Sequence, residues 1–275
     1  MKLEALFQNP TALPTAPKVV DELISSFDKA SVSTEDIAKK LSADPVLSAK
    51  LLRLANSAYY HVSRSIGTVE DAVLMLGFVT VRTLVISSGL VSGFKTVPGL
   101  DLKQFWRYSL HTAVAAKWIA KKTRENSDLA FTIGMMHAIG QLVMHAAMPE
   151  QAMQMDKVAG PLDSRRLDAE QASFGYGFAD VGAELARRWK FPESFADTIA
   201  AFPNPLERTP PNKLAAVIHL AAWRARIDES KLSPDEIAAC YPTEIAAALG
   251  LAENALIDEM PSPDELSAGL DELIR

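Results

Sequence analysis

The chain has 275 residues, of which 48% are hydrophobic and 23% are charged. This composition excludes the low-hydropathy, high-charge class of disordered chains, and a prior of roughly 150 residues per domain suggests about two domains. The formal net charge of −6, with the acidic excess after residue 100, gives no general electrostatic support to nucleic-acid binding.

Cysteine content and the N-terminal sequence predict a cytoplasmic protein. Cys240 is the lone cysteine, so no intramolecular disulfide can form. The stretch from Met1 to Pro10 lacks the basic start and continuous apolar run of a signal peptide. Residues 73–94 are apolar enough to resemble a membrane span, but Arg82 at their centre costs about 2.5–3.5 kcal/mol in a bilayer. We therefore expect no membrane association.

Helix start signals recur along the chain and predict an all-α fold. Each consists of a side chain that can accept a hydrogen bond from the first helical turn, often followed by proline or an acidic residue. The capping residues are Ser33, Asp44, Thr68, Ser233 and Ser262. Between these caps, apolar residues such as Ile37, Leu41, Leu47, Leu51 and Leu54 repeat with a period near 3.6.

The first half of the chain ends at a clear break. Residues 78–91 are rich in Val, Ile and Thr, but they contain no hairpin dipeptide, so we predict a buried helix. Val97-Pro98-Gly99 combines two residues that stop helices. The sequence therefore predicts two helical subdomains, residues 1–98 and residues 99–275.

The second half contains six further helical patterns and an acidic last helix. The predicted helices span residues 102–124, 128–148, 151–158, 168–189, 193–202 and 214–227. The acidic residues near the end include Asp264, Glu265, Asp271 and Glu272, which we interpret as a solvated helix face.

The segment from Ser33 to Ser57 has the outline of a helix-turn-helix. Its second helix carries Lys50 and Arg53 as its charged residues, without the Asn, Gln and Arg cluster that reads bases in the major groove. A plain helical hairpin is therefore favoured, and DNA binding stays a rival hypothesis.

Two sets of motifs resemble the HDOD (HD-related output domain) family, from about Leu13 to about Arg226. The first set is Leu13-Pro14-Thr15, Ile37, Leu41, Asp44-Pro45, Leu51-Leu52-Arg53-Leu54-Ala55-Asn56-Ser57-Ala58, Ile66, Ala72, Leu76-Gly77 and Arg82. The second set is Phe105-Trp106, His137-Ala138-Ile139-Gly140, residues 182–189, Phe191-Pro192 and residues 214–222. The resemblance implies an all-α fold with an HD-like C-terminal subdomain, and a role in bacterial signal transduction with signalling proteins as partners.

Catalytic HD proteins hold divalent metals with a first His, a His-Asp pair and a distal Asp, and these metals activate water against a phosphoester. If the resemblance is carried over, Tyr108 stands at the first His, His137 keeps the second His, Ala138 replaces its Asp, and Ala222 replaces the distal Asp. Alanine offers no lone pair, so we expect no catalysis, no metal and no cofactor. A divergent metal-dependent phosphohydrolase stays the second rival.

Other positions that are often His in relatives correspond to Phe178, Phe202 and Pro203. His111 lies one helical turn beyond Tyr108 and is expected to face His137. We predict that side chains close the space bounded by Tyr108, His111, His137 and Phe178. 

Asn56 and Arg82 interrupt apolar helical runs. We predict that both are structural, with their polar heads buried against backbone groups.

Overall fold

The computed structural model describes residues 2–8, 18–25, 34–252 and 254–274, and all its regular elements are helices. The all-α prediction is confirmed. The predicted cap Ser33 and the motif Leu13-Pro14-Thr15 lie outside the described residues, as do parts of the segment from Met1 to Pro10. 

The first α-helices are α1 (Leu3–Leu6), α2 (Lys18–Ser25), α3 (Thr34–Ser42), α4 (Pro45–Ala55), α5 (Val69–Leu76) and α6 (Phe78–Gly93). Helices α2 to α6 pack on one another and form the N-terminal subdomain. The predicted caps act as expected, since Asp44 Oδ1 accepts hydrogen bonds from the backbone N–H groups of Val46 and Leu47 at 3.0 Å. Thr68 Oγ1 likewise accepts from the N–H of Asp71.

Helix α6 is the buried helix that the sequence predicts, despite its strand-forming residues. Its residues from Thr83 to Val91 are all buried. Gly77 separates α5 from α6 with a φ of 81°, a conformation that side chains with a Cβ rarely adopt. Burial on almost every side therefore outweighs the β-propensity of Val, Ile and Thr.

The second subdomain begins with α7 (Leu102–Thr123), α8 (Ser127–Met136), α9 (Ile139–Ala147), α10 (Pro149–Val158), α11 (Arg166–Phe174), α12 (Phe178–Arg188), α13 (Glu193–Ala201) and α14 (Lys213–Glu229). Helix α7 packs against α8 and α14, and α12 packs against α9 and α13.

Two helices that the sequence predicts as continuous are broken. The predicted helix over residues 128–148 is wrong, because it divides into α8 and α9 at His137-Ala138. The predicted helix over residues 168–189 divides into α11 and α12 at Gly175-Tyr176-Gly177. The first break lets α9 cross α12 closely, since a Cβ on Gly140 would lie 1.9 Å from the carbonyl oxygen of Phe178. 

The acidic C-terminal helix is also a wrong prediction. Residues after α14 form the short helices α15 (Pro234–Ala239), α16 (Thr243–Ala248), α17 (Ala255–Asp258) and α18 (Pro263–Ser267), followed by a 3₁₀ turn over Asp271–Leu273. Prolines interrupt this stretch as far as Pro263, and Gly269, with a φ of 89°, stops the helix after α18. Its carboxylates also do more than face solvent, since Glu259 pairs with Lys122 and Glu272 pairs with Arg53.

Both ends of the chain cross the predicted boundary near residue 98. Helix α1 packs against α9 of the second subdomain. The turn Asp271–Leu273 packs against α4 and α6 of the first subdomain, and α6 also packs against α8. One hydrophobic core therefore runs through both subdomains.

One segment, Ser127–Ala147, has the length and the mean hydropathy, 1.3, of a membrane span. This segment differs from residues 73–94, the apolar stretch around Arg82 that resembles a membrane span in the sequence. The span covers α8 and α9, and 89% of its most apolar stretch is buried inside the fold. Core helices of soluble proteins share these properties, so the segment is weak evidence for a membrane.

Asn56 ends α4 and ties it to the following loop. Its Nδ2 donates to the carbonyl oxygens of Leu52 and Ile66 at 2.8 Å, and its Oδ1 accepts from the N–H of Ile66 at 2.7 Å. The predicted bonding to backbone groups is confirmed, but the predicted burial is wrong, because Asn56 is exposed.

Replacing Asn56 by alanine should lower the free energy of unfolding by about 1–2 kcal/mol, because backbone groups of Ile66 lose both side-chain partners. Asn56→Asp keeps an acceptor for the N–H of Ile66 and should lose less. Urea denaturation of the two variants and the wild type measures the difference. An unchanged midpoint for Asn56→Ala would contradict a structural role for these bonds.

Arg82 is half-buried on α6, and one of its contacts is aromatic. Its guanidinium carbon lies 5.6 Å from the centroid of the Phe78 ring. Burial lowers the pKa of Arg82, and the charge of Asp128 opposes that shift. Its packing fits a structural role, although this contact is with a ring and not with backbone groups.

Candidate functional site

The positions carried over from HD enzymes meet at a cavity of about 180 Å³. Tyr108 of α7, His137 and Ala138 of the α8–α9 break, and Ala222 of α14 all line it. The prediction that side chains fill this space is therefore wrong. The two alanines are too small to occupy the room that the aromatic side chains leave.

Aromatic rings form one wall of the cavity. The His137 ring lies edge-on to Tyr108, with 5.0 Å between centroids, and edge-on to Phe202, with 5.5 Å. Phe178 and Phe202 are 6.1 Å apart. The hydroxyl of Tyr108 is turned to the carbonyl oxygen of Ala222 at 3.4 Å, and burial raises the pKa of Tyr108.

His137 places one ring nitrogen at the cavity without a partner. Its Nδ1 lies 2.7 Å from the carbonyl oxygen of Gly134. Because a carbonyl only accepts, Nδ1 carries the hydrogen and Nε2 carries a lone pair. Nε2 is buried and has no hydrogen-bond partner among the described residues. Burial lowers the pKa of His137 to about 4, and the charge of Arg226 acts in the same direction, so the ring is neutral at pH 7.

Helix α14 contributes two further polar side chains to the cavity, His219 and Arg226. His219 Nδ1 lies 2.9 Å from the carbonyl oxygen of Phe202, and the ring also has a backbone hydrogen bond with Pro203. Burial lowers the pKa of His219 as well. Arg226 is half-buried, and no carboxylate of the described residues lies within ion-pair distance of it.

The loop of residues 161–168 forms the rim. Gln141 Nε2 donates to the carbonyl oxygen of Pro161 at 3.1 Å and fixes the start of the loop. Asp163 is neutralised by Arg165, whose Nε and Nη2 donate to it at 3.0 and 2.6 Å. Hydrogen bonds from Arg165 lower the pKa of Asp163 to about 2. Asp168 also lines the cavity and is exposed.

His111 does not join this cavity, and the prediction that it faces His137 is wrong. Its Nδ1 lies 3.3 Å from Glu229 Oε1, and its Nε2 lies 3.3 Å from Asp264 Oδ1. Arg107 binds the same Glu229 through two hydrogen bonds of 2.6 Å. Although burial opposes it, hydrogen bonding by His111 and Arg107 lowers the pKa of Glu229 to about 2. This group joins α7 to α14 and to α18.

A buried ionic network behind the cavity has no counterpart in the sequence predictions. Arg166 Nε donates to Glu170 Oε1 at 2.5 Å, and its Nη1 donates to Asp156 Oδ1 at 2.5 Å. Glu170 Oε2 accepts the N–H of Phe178 at 2.7 Å, and His145 Nε2 lies 3.4 Å from Asp156 Oδ1. The i,i+4 spacing of Arg166 and Glu170 was the signal in the sequence that could have predicted the first pair.

The side chains at the cavity do not fit the metal of HD enzymes. Nowhere in the described parts of the chain do three His, Cys, Asp or Glu side chains converge as metal ligands. Tyr108 is turned to a backbone carbonyl, and Ala138 and Ala222 have no donor atom. His137, His219 and the rim carboxylates Asp163 and Asp168 line the cavity without forming a group of three ligands, so the donor set is too small for a hydrolytic metal site.

Solved structures of similar proteins share the overall fold. A protein of Shewanella amazonensis SB2B named "Putative phosphohydrolase" has a crystal structure that is 32% identical, with a TM-score of 0.77, and the match covers 98% of this chain and 96% of that one. An HDOD domain protein with unknown function from Geobacter sulfurreducens is 25% identical, with a TM-score of 0.71, and the match covers 99% of this chain and 94% of that one.

A protein of Treponema pallidum (strain Nichols), itself uncharacterized, is 27% identical over 191 residues. That match covers 68% of this chain and 37% of the longer protein, so the chain corresponds to little more than a third of that relative. The family model of the HDOD domain matches residues 13–205, which is more than half of the chain. The chain therefore belongs to the HDOD domain family.

Proposed function

We propose that this chain is a non-catalytic signalling module of the cytoplasm that acts by binding another protein. The observation that carries the proposal is that Ala138 and Ala222, the positions to which the resemblance assigns the metal-binding carboxylates of HD enzymes, line one cavity and offer no ligand atom. A protein of Marinobacter aquaeolei VT8 named "Putative signal transduction protein" has a similar fold, with a TM-score of 0.73 at 21% identity, and the match covers 60% of that longer chain. 

The rival hypothesis is a divergent phosphohydrolase, the activity in the name of the Shewanella protein. Purified protein with added manganese should hydrolyse neither phosphodiesters nor nucleotides, and elemental analysis should find no stoichiometric metal. One tightly bound transition-metal ion per chain, with turnover that a chelator abolishes, would favour the rival.

Restoring both carboxylates, as Ala138→Asp with Ala222→Asp, should destabilise the protein by about 2–5 kcal/mol, because Ala138 is 1% exposed and its new carboxylate would be buried among apolar groups. Denaturation midpoints with and without manganese measure the effect. Ala49→Asp, on an exposed position of α4, is the matched control and should cost about 0.5 kcal/mol. A double variant that regains its stability with manganese would show that the cavity is still a coordination site.

DNA binding receives little support from the helical hairpin of α3 and α4. Lys50 is 8% exposed, and Arg53 pairs with Glu272 at 3.4 Å. Neither basic side chain of α4 is therefore free to contact phosphates. We expect no salt-dependent DNA binding in titrations at two ionic strengths.

The corner between α5 and α6 offers an apolar surface for a protein partner. Leu74 is 81% exposed, and Met75 and Val79 are exposed beside it in the chain. Exposed apolar side chains grouped in this way are typical of interaction sites. Proteins that co-purify with the wild type from the native host should be lost with Leu74→Asp and kept with Ile257→Asp, which changes an exposed apolar residue of α17. Equal loss with both variants would contradict a role for this corner.

A further inference from the structure

The cavity beside Ala138 and Ala222 has two polar side chains, Arg226 and His137, whose binding capacity is unused. Arg226 brings a positive charge and N–H donors, and among the described residues no carboxylate lies within ion-pair distance of it. A half-buried guanidinium without a carboxylate partner favours an anion, because the surrounding apolar wall screens its charge less than water does.

The imidazole of His137 has the opposite requirement. It donates through Nδ1 to the carbonyl oxygen of Gly134 at 2.7 Å, so its Nε2 can only accept. Nε2 of His137 is buried at the cavity and has no partner within the described structure. A buried acceptor of this kind costs about 1–3 kcal/mol unless a hydroxyl or an N–H donor reaches it.

The size of the cavity limits the ligand. Its volume is about 180 Å³, little more than the roughly 150 Å³ of an engineered apolar cavity that binds benzene. It is smaller than the sites of drug-sized ligands, which begin at about 300 Å³. A group of roughly six to ten non-hydrogen atoms fits this space.

We propose that this cavity binds a small oxyanion that carries a hydroxyl group, with the oxyanion on Arg226 and the hydroxyl on His137 Nε2. The acidic group of the ligand pairs with the guanidinium of Arg226, and its hydroxyl donates to the lone pair of His137 Nε2. One ligand therefore satisfies both unused protein groups. Phe178, Phe202 and Trp223 supply the apolar walls. Phosphate monoesters and hydroxy acids share this chemistry.

The carboxylates at the rim do not cancel the attraction. Asp163 is held by two hydrogen bonds from Arg165, and that pair is neutral as a whole. Asp168 is exposed, so solvent screens its charge. The charge that the interior of the cavity presents to a ligand is that of Arg226.

Calorimetric titration with four probes tests the chemistry, in a buffer free of other oxyanions. Inorganic phosphate and glycolate each combine a negative charge with a hydroxyl, whereas sulfate and acetate have the charge alone at pH 7. We expect phosphate or glycolate to bind at least tenfold more tightly than its partner without a hydroxyl. If phosphate binds more tightly than glycolate, the natural ligand is a phosphate ester; if glycolate binds more tightly, it is a hydroxy acid.

Variants then place the site. Arg226→Gln should weaken binding of the preferred probe at least tenfold, and Ala222→Leu should abolish it by filling the cavity while Arg226 is kept. Arg53→Gln, a basic residue of α4 remote from the cavity, is the matched control and should bind as the wild type does. Circular dichroism and the thermal midpoint show whether each variant is folded.

Three results would overturn the proposal. The first is no heat with either hydroxylated probe, which would mean that the cavity holds water only. The second is equal binding within both pairs, phosphate with sulfate and glycolate with acetate. The third is undiminished binding of the preferred probe by Arg226→Gln or by Ala222→Leu. This inference does not depend on the protein-binding proposal, because variants at Leu74 should leave the titration unchanged.

Discussion

Replacing Arg166 by methionine should lower the free energy of unfolding by about 3–5 kcal/mol, a large fraction of the stability of a typical domain. The side chains of Arg166 and Glu170 are 1% and 0% exposed. Methionine keeps much of the volume but leaves Glu170 as a buried carboxylate without a cation, and it leaves the carbonyl oxygen of Ala159 without its 2.8 Å donor. Chemical denaturation measures the loss.

Two further variants distinguish the effect of the buried charges from the effect of side-chain volume. Arg166→Met with Glu170→Leu should regain part of the loss, because no charge is then left unpaired. The recovery should be incomplete, since the N–H of Phe178 loses its 2.7 Å acceptor on Glu170. Arg187→Met breaks the exposed pair of Arg187 with Glu193 and should cost less than about 1 kcal/mol. Equal losses for Arg166→Met and Arg187→Met would contradict this account.

The same network supports the rim of the cavity. Arg166 follows the loop of residues 161–168 and joins it to α10 through Asp156. Glu170 holds the first turn of α12, where Phe178 lines the cavity. Arg166→Met should therefore also weaken the binding of the preferred oxyanion, although Arg166 itself is absent from the cavity lining.

Local signals in the sequence predicted the helices well, whereas tertiary packing decided the errors. Asp44 and Thr68 cap their helices because the acceptor lies two or three residues from the donor. The division of residues 128–148 into two helices had no such local sign. It depends on the close approach of Gly140 to the carbonyl oxygen of Phe178, a contact between residues far apart in the chain.

Four of the five site positions that the resemblance to HD proteins predicts do line one cavity. They are Tyr108, His137, Ala138 and Ala222. His111 is the exception, because a shift of three residues turns a side chain by about 60° around a helix. In α7 that turn directs His111 to Glu229.

The sequence analysis did not predict Arg226 and His219 as cavity residues, although their spacing indicated it. The positions 219, 222 and 226 follow one another at helical spacing, so they share one face of α14 with the former metal-ligand position. No residue type in that set is unusual by itself. The significance of Arg226 comes from the absence of a nearby carboxylate in the described structure, which only the packing reveals.

The stability of the protein should fall between about pH 6.5 and pH 4, because the fold buries neutral histidines. Burial lowers the pKa of His137 to about 4, below the value near 6.5 of an unfolded chain. The unfolded state therefore binds a proton in this range that the folded state does not, and acid favours unfolding. The contribution of His137 is fully present above pH 6.5 and is lost as the pH falls to about 4. His145 and His219, whose pKa values burial also lowers, act in the same direction.

His137→Phe removes this titration while keeping a ring between Tyr108 and Phe202. We expect the variant to lose about 3 kcal/mol less than the wild type between pH 7 and pH 4, as a shift of this size implies. Denaturation midpoints at half-unit pH intervals measure the slope, and the comparison over one pH range removes the shared titration of the carboxylates. If His137→Phe keeps the wild-type slope, burial does not lower the pKa of His137 in the folded protein, and buried neutral histidine is not the cause of the acid sensitivity.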